Sequence, residues 1–178
     1  MAFTYPKLEL KVVGANDAWL SYLKKTLPEG GSQTFKGGAP LVFSSGLLIE
    51  ATSAYNPGNQ KCAAISTASA SGVTSAGLDV ILAAPFLLME VNLLAAAAAS
   101  HTYAAADLGI STVGLAKATN LAGTGRDGWY GVSGGTAALH TISNITTFQQ
   151  PGVATVGAQV GDINARVLAY FISTAIDW

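Results

Sequence analysis

Apolar and polar positions alternate with a period of two along much of this chain. The pattern is plainest around the longest apolar run, Leu78–Leu94, which Pro85 splits. Before the proline, Val80, Ile81 and Leu82 are bulky and largely β-forming. After it, Met89, Val91 and Leu93 fall on one side of an extended chain, and Leu88, Glu90 and Asn92 on the other. That alternation predicts a half-buried strand. A proline cannot donate a ladder hydrogen bond and belongs at a strand start, an edge or a corner. The run therefore predicts two strands turning a corner in the middle of a β core. A membrane-spanning helix over Leu78–Ala99 would carry Asp79, Pro85, Glu90 and Asn92, and one charge near the bilayer centre costs about 2.5–3.5 kcal/mol. A buried helix through Phe86–Ala99 draws support only from the alanines at 95–99. Strand is preferred for Phe86–Leu94, and residues 95–106 stay open between helix and strand.

The same reading extends along the chain. Leu8, Leu10 and Val12 alternate against Lys7, Glu9 and Lys11, a strand signal. Trp19, Leu20, Leu23 and Leu27 then fall at helical spacing, with Asn16 or Asp17 as cap and Pro28 as stop; a strand is the alternative there. Residues Pro28–Gly38 hold four glycines and a proline and read as a linker. Pro40–Phe43 and Leu47–Ala51 flank Ser44-Ser45-Gly46 as a hairpin, and Asn56-Pro57-Gly58-Asn59 is a turn. Cys62–Thr67, Ile110–Lys117, Gly128–Ser133, Ala137–Ile142, Ile145–Phe148 and Ile163–Ile172 read as strands. Thr102 caps a helical turn over Ala104–Leu108. Some ten short strands with turns between them predict an all-β fold, a small β-barrel or β-tulip-like body with at most one or two short helices. The expected division is an N-terminal arm, 1–36, and a barrel, 37–178.

Composition narrows the function classes. Only 11% of the 178 residues are charged while 50% are apolar, against about a quarter charged in ordinary domains. The surface must be rich in small uncharged residues, which suits burial in an assembly and also a plain neutral monomer. A net charge of −1 leaves no electrostatic footprint for nucleic acid, and no membrane partner is expected. Cys62 is the sole cysteine, so no internal disulfide and no cysteine-based zinc site can form. The N-terminus lacks the basic-then-apolar order of a signal peptide, so synthesis and assembly in a cytosol are expected.

Motifs that could carry chemistry lack their context. Gly123–Gly128 matches G-x-G-x-x-G, but Trp129-Tyr130-Gly131-Val132 follows where a helix must begin. Gly131-Val132-Ser133-Gly134-Gly135 matches G-x-S-x-G, but the only later histidine is His140, with no acid between. Neither His101 nor His140 lies beside a carboxylate at ligand spacing, so both read as isolated polar or satisfied histidines, and Asp107, Asp127 and Asp162 read as turn formers. Asn144-Ile145-Thr146 is a glycosylation sequon only by pattern. No catalytic residue, metal or cofactor is expected. The aromatic residues ahead of the glycines, Phe3, Tyr5, Trp19 and Tyr22, are candidate anchors for contacts with another protein; the alternative is that they fold back and complete the core.

From Gly38 onward the order of signals resembles the capsid decoration, or cement, proteins of tailed bacteriophages. The residues that carry the resemblance are Gly38-Ala39-Pro40-Leu41 with Gly46, Ala63-Ala64-Ile65-Ser66, the proline-interrupted Val80–Val91 pair, Asp107-Leu108-Gly109, Gly128-Trp129-Tyr130, and Asn164–Phe171. They are packing and turn features. The resemblance implies a small β-barrel body, a homotrimer on local threefold axes, and the major capsid protein as partner. It implies a place on the virion's capsid surface after assembly in the host cytoplasm, and an N-terminal arm that engages the shell. The long Trp-containing arm and the alanine-rich 95–106 segment depart from that pattern. A receptor- or carbohydrate-binding module of a phage tail or fibre is the rival reading, with Trp129-Tyr130 as its aromatic platform; a hydrolase using Ser133 ranks last.

Overall fold

The computed structural model of the chain describes residues 11–14, 17–85, 87–99, 101–102, 104–107, 113–118, 128–141 and 166–177. Its elements are β1 (Lys11–Gly14), α1 (Asp17–Leu23), β2 (Lys24–Pro28), β3 (Pro40–Ser44), β4 (Leu47–Glu50), β5 (Ala54–Tyr55), β6 (Ala64–Ser66), β7 (Gly77–Leu82), β8 (Leu88–Leu94), β9 (Gly114–Ala118), β10 (Gly128–Val132), β11 (Leu139–Thr141) and β12 (Arg166–Phe171). Short 3-10 turns lie at Ala96–Ala98, Ala105–Asp107 and Ser173–Ala175. The fold is all-β with few helices.

The strands form two sheets. One is five-stranded and antiparallel throughout, in the order β2-β7-β6-β3-β4; the other has seven strands, β11-β12-β8-β10-β9-β5, with β1 also on β8. The run around Pro85 is the hinge between them. β7 lies inside the first sheet, β8 inside the second, and a turn at Ala83–Leu87, closed by the Leu87 N–H on the Ala84 carbonyl at 3.0 Å, carries the chain across. β8 is the axis of its sheet. β12 pairs with it over Met89–Asn92, while on its other edge β1 takes Leu88–Glu90 and β10 runs parallel to Leu93–Leu94.

The predicted alternation in β8 is present, with Met89, Val91 and Leu93 fully buried. Its second face is less polar than expected, because Asn92 and Leu94 are also covered and Leu94 packs with Tyr130 and Ala118 in a small second cluster. The main core joins both sheets and runs from Leu23, Phe35 and Leu41 through Ile65, Val80 and Met89 to Trp129 and Phe171.

The β3–β4 hairpin turns through Ser45 and Gly46, both at positive φ (51° and 80°). This is the twist that matches flanking strands in a two-residue loop. The Asn56 side chain accepts the Gly58 N–H at 2.8 Å, which fixes the predicted turn there.

The N-terminal region differs most from expectation. The predicted helix over Asp17–Leu27 stops at Leu23, and Lys24–Pro28 becomes an edge strand on β7, from Lys24 opposite Ile81 to Pro28 opposite Gly77. Pairing with a formed strand outweighs the weak helical preference of that stretch. Residues 17–36, expected to stand ahead of the body as an arm, are woven into it: Leu23 and Phe35 are buried, and Leu20 and Leu27 pack against the core. The glycine-rich stretch after Pro28 is an anchored loop and not a linker. Glu29 bridges Leu48 on β4, and the Gly30 N–H donates to the Leu48 carbonyl at 2.7 Å. The two edges of the five-stranded sheet thus touch at this bridge, and the sheet curls into a half-barrel.

Candidate functional site

Of the four aromatic contact candidates, Phe3 and Tyr5 lie outside the described residues. Trp19 sits on α1 with its side chain outside them, and Tyr22 on the same helix is 71% exposed. The structure therefore places one candidate on the surface, on a helix whose neighbouring Leu23 is turned into the core. Phe43, 48% exposed, and Val73, 62% exposed, are further large apolar side chains at the surface.

The richest polar constellation is one that sequence spacing did not reveal. Asp107 is buried at the end of the Ala105–Asp107 turn, and its carboxylate gathers three donors. Ser133 Oγ donates to Oδ1 at 2.6 Å, and the Ala104 N–H donates to Oδ2 at 2.8 Å. His101 Nε2 lies 2.8 Å from the same Oδ2. The Asp107 backbone carbonyl accepts the Thr141 hydroxyl on β11. Burial pushes this carboxyl up. The hydrogen bonds from Ser133, Ala104 and His101, with the attraction of the His101 charge, outweigh that and hold it below the usual aspartate range. Asp107 is thus a structural hub, and His101, at no ligand spacing from a carboxylate in the sequence, is a satisfied histidine bonded to it. The cap is corrected too: Asp107 reaches back to the Ala104 N–H, as the third helical residue does in a capping box.

This places serine, aspartate and histidine together, but in the wrong order for nucleophilic catalysis. A serine nucleophile needs imidazole as its base, with the acid behind the imidazole. Here the carboxylate stands between hydroxyl and ring, and an acid held below its usual range is a weak base. The glycines of G-x-S-x-G have packing reasons instead. A Cβ on Gly131 would come within 2.9 Å of Leu93 Cδ2 and 3.0 Å of Val113 Cγ1, and Gly135 lies against the Gly114 backbone, where a Cβ would meet Cα at 3.1 Å. Ser133→Ala is therefore expected to leave the protein's biological activity unchanged and to cost about 1 kcal/mol of stability for the lost hydrogen bond. Denaturant melts beside a functional assay check both, and loss of activity in a stably folded Ser133→Ala protein would put the hydrolase reading back.

Other polar pairs tie the two sheets together. Lys117 Nζ on β9 lies 2.7 Å from Glu50 Oε2 on β4, and the Trp129 indole N–H donates to the other Glu50 oxygen at 2.9 Å. The Tyr55 hydroxyl accepts the Cys62 N–H at 2.8 Å and donates to the Ala175 carbonyl. Burial pushes the Cys62 thiol up to about 12, so it is a packed core group and not a reactive thiolate. His140 lies against Tyr170 on the neighbouring strand, ring centroids 5.1 Å apart. Gly128 opens strand β10, so no helix follows the G-x-G-x-x-G pattern; residues 123–127, Asp127, Asp162 and the sequon lie outside the described residues.

Among the described residues, no group of three histidine, cysteine or acidic side chains is placed to hold a metal ion. No helix there is long and apolar enough to cross a membrane. Comparison with known protein families, characterised proteins and solved structures finds no match for this chain.

Proposed function

We propose that the chain is a structural virion protein, a decoration protein that binds the outside of an assembled phage capsid and stabilises the shell. The observation that supports this reading best is where several of the described residues behind the resemblance lie, at framework positions of one all-β body. Gly46 completes the hairpin turn, Ala63–Ser66 is buried, Val80 and Val91 sit in β7 and β8, each an interior strand of its sheet, and Trp129, Val167 and Phe171 fill the core. The weakly charged surface and the exposed Tyr22 agree with a protein that works by contact.

The partner is the major capsid protein, and the protein acts as a homotrimer on threefold sites, since closed rotational symmetry suits such positions. A ligand that binds only the assembled shell stabilises it by mass action, about 2.7 kcal/mol per site when its concentration is a hundred times Kd. The tail-fibre reading loses its platform, because Trp129 and Tyr130 are only 2% and 3% exposed.

Purified protein incubated with undecorated capsids is expected to co-sediment with them and to raise the temperature at which they rupture. Light scattering of the free protein is expected to give a trimer mass. Failure to co-sediment with shells from any candidate host phage, with a monomer mass throughout, would reject the proposal.

A further inference from the structure

The seam that joins the two edges of the curled five-stranded sheet rests on one buried carboxylate. Glu29 is 1% exposed, and its side chain takes the Ser71 hydroxyl at 2.7 Å and the Gly72 N–H at 2.6 Å on Oε1, with the Ser71 N–H at 3.1 Å on Oε2. The Glu29 backbone grips the same loop: its N–H donates to Ala76 at 2.9 Å and its carbonyl accepts from Ser75 at 2.8 Å. Ser32 N–H reaches the Gly72 carbonyl at 2.8 Å. Across the seam, Glu29 bridges Leu48, and Gly30 packs so tightly on β4 that a Cβ would come within 2.6 Å of Ile49 Cγ2. Side chain and backbone of one residue thus hold the Ser71–Ala76 loop on one side while its strand meets β4 on the other.

We propose that Glu29 is an acid-sensitive latch: protonating its carboxylate releases the Ser71–Ala76 loop and parts the end of β2 from β4, opening the seam while the seven-stranded sheet stays folded. An ionised carboxylate only accepts, and three donors point at it. Adding a proton turns one oxygen into a donor facing donors, and at least one N–H or hydroxyl of these part-buried bonds loses its partner.

No charged side chain among the described residues competes for Glu29. On the surrounding elements, Asp79 of β7 bonds Thr26, Glu50 of β4 bonds Lys117 and Trp129, and Lys24, Lys25 and Lys36 are exposed. Burial pushes the Glu29 carboxyl up, and the hydrogen bonds from Ser71, Gly72 and Val73 bring it below its ordinary value. The latch is therefore fully engaged above the open-state value of about 4.3 and is lost as pH falls through the lower closed-state value.

Hydrogen exchange of the full chain, read as protection relative to intrinsic rates from pH 7 to pH 2.5, tests this. Amides of Gly30, Ser32, Gly72 and Ser75 are expected to lose protection on acidification, at up to about tenfold per pH unit, while those of β8, β10 and β12 keep theirs. Glu29→Gln, which mimics the protonated acid, is expected to show the open pattern already at pH 7 and no further pH dependence at the seam. Ser71→Gly, which removes one donor and leaves the carboxylate, should keep the pH dependence with a weaker latch. Should Glu29→Gln fail to fold, the wild-type and Ser71→Gly profiles decide. Seam protection that is unchanged in acid, that is lost only together with β8, or that keeps its pH dependence in Glu29→Gln would overturn the latch.

Discussion

Asp107→Ala is expected to destabilise the protein by about 3 kcal/mol, more than Ser133→Ala or removal of His101 alone, because it strands several donors at once. The Ser133 hydroxyl, the Ala104 N–H and His101 Nε2 all converge on that carboxylate. The loss corresponds to a fall of roughly 6–12 °C in Tm for a chain of this size.

The pH dependence has a defined sign. The folded carboxyl lies below its ordinary range, so its contribution is whole above about pH 3.9, the unfolded aspartate value, and disappears as pH falls through the folded one. Asp107→Ala should therefore lower stability at neutral pH and flatten the acid limb of the profile. Thermal melts at pH 7 and pH 3 measure both. Equal Tm values for wild type and variant at pH 7 would show that the cluster is solvent-compensated and not a hub.

The hub was hidden from the sequence for a physical reason. His101 and Asp107 stand six residues apart across a 3-10 turn in an alanine-rich stretch, a spacing that belongs to no regular element. Ser133 arrives from a strand turn 26 residues on, and only tertiary folding brings it there. By contrast, β8 and the β3–β4 hairpin were legible, because period-two alternation and a two-residue turn with glycine are local codes. Two strands show the limit: β5, which was missed, and β2, for which strand was only the alternative to helix. β5 is only Ala54–Tyr55, held by β9, and β2 owes its conformation to β7, so neither carries a pattern of its own. Glu29 is the same case: a single acid in a glycine-rich stretch reads as a solvated linker residue until the Ser71 loop folds over it. Of the contact candidates, Tyr22 is the one whose position the structure gives, and helical spacing with Leu23 explains why one faces out and the other in.

Removal of residues 1–36 is expected to abolish cooperative folding, and this reverses what an arm would predict. The deletion takes away β2, leaving β7 as an unpaired edge, and it removes Glu29 and Gly30, which join that edge to β4. It also empties the core positions of Leu23 and Phe35. Each such side chain contributes about 1.5–3 kcal/mol, and together with the lost ladder this rivals the ~5–15 kcal/mol that holds a whole domain. The truncated chain should aggregate or melt without a sharp transition. A cut after residue 10 is different, because it leaves every described contact in place. That shorter variant is expected to keep a sharp melting transition, because β2, the Glu29 seam and the core positions of Leu23 and Phe35 remain. If Phe3 and Tyr5 contact the shell, it should also bind undecorated capsids more weakly, by about 2 kcal/mol or more for a central aromatic anchor. Co-sedimentation across a concentration series reads that difference. Full shell binding by the shorter variant would remove Phe3 and Tyr5 as contacts and leave Tyr22, on the face of α1 turned to solvent, as the residue to replace next. A soluble, sharply melting protein lacking 1–36 would mean that the strand and seam contribute far less than their burial implies.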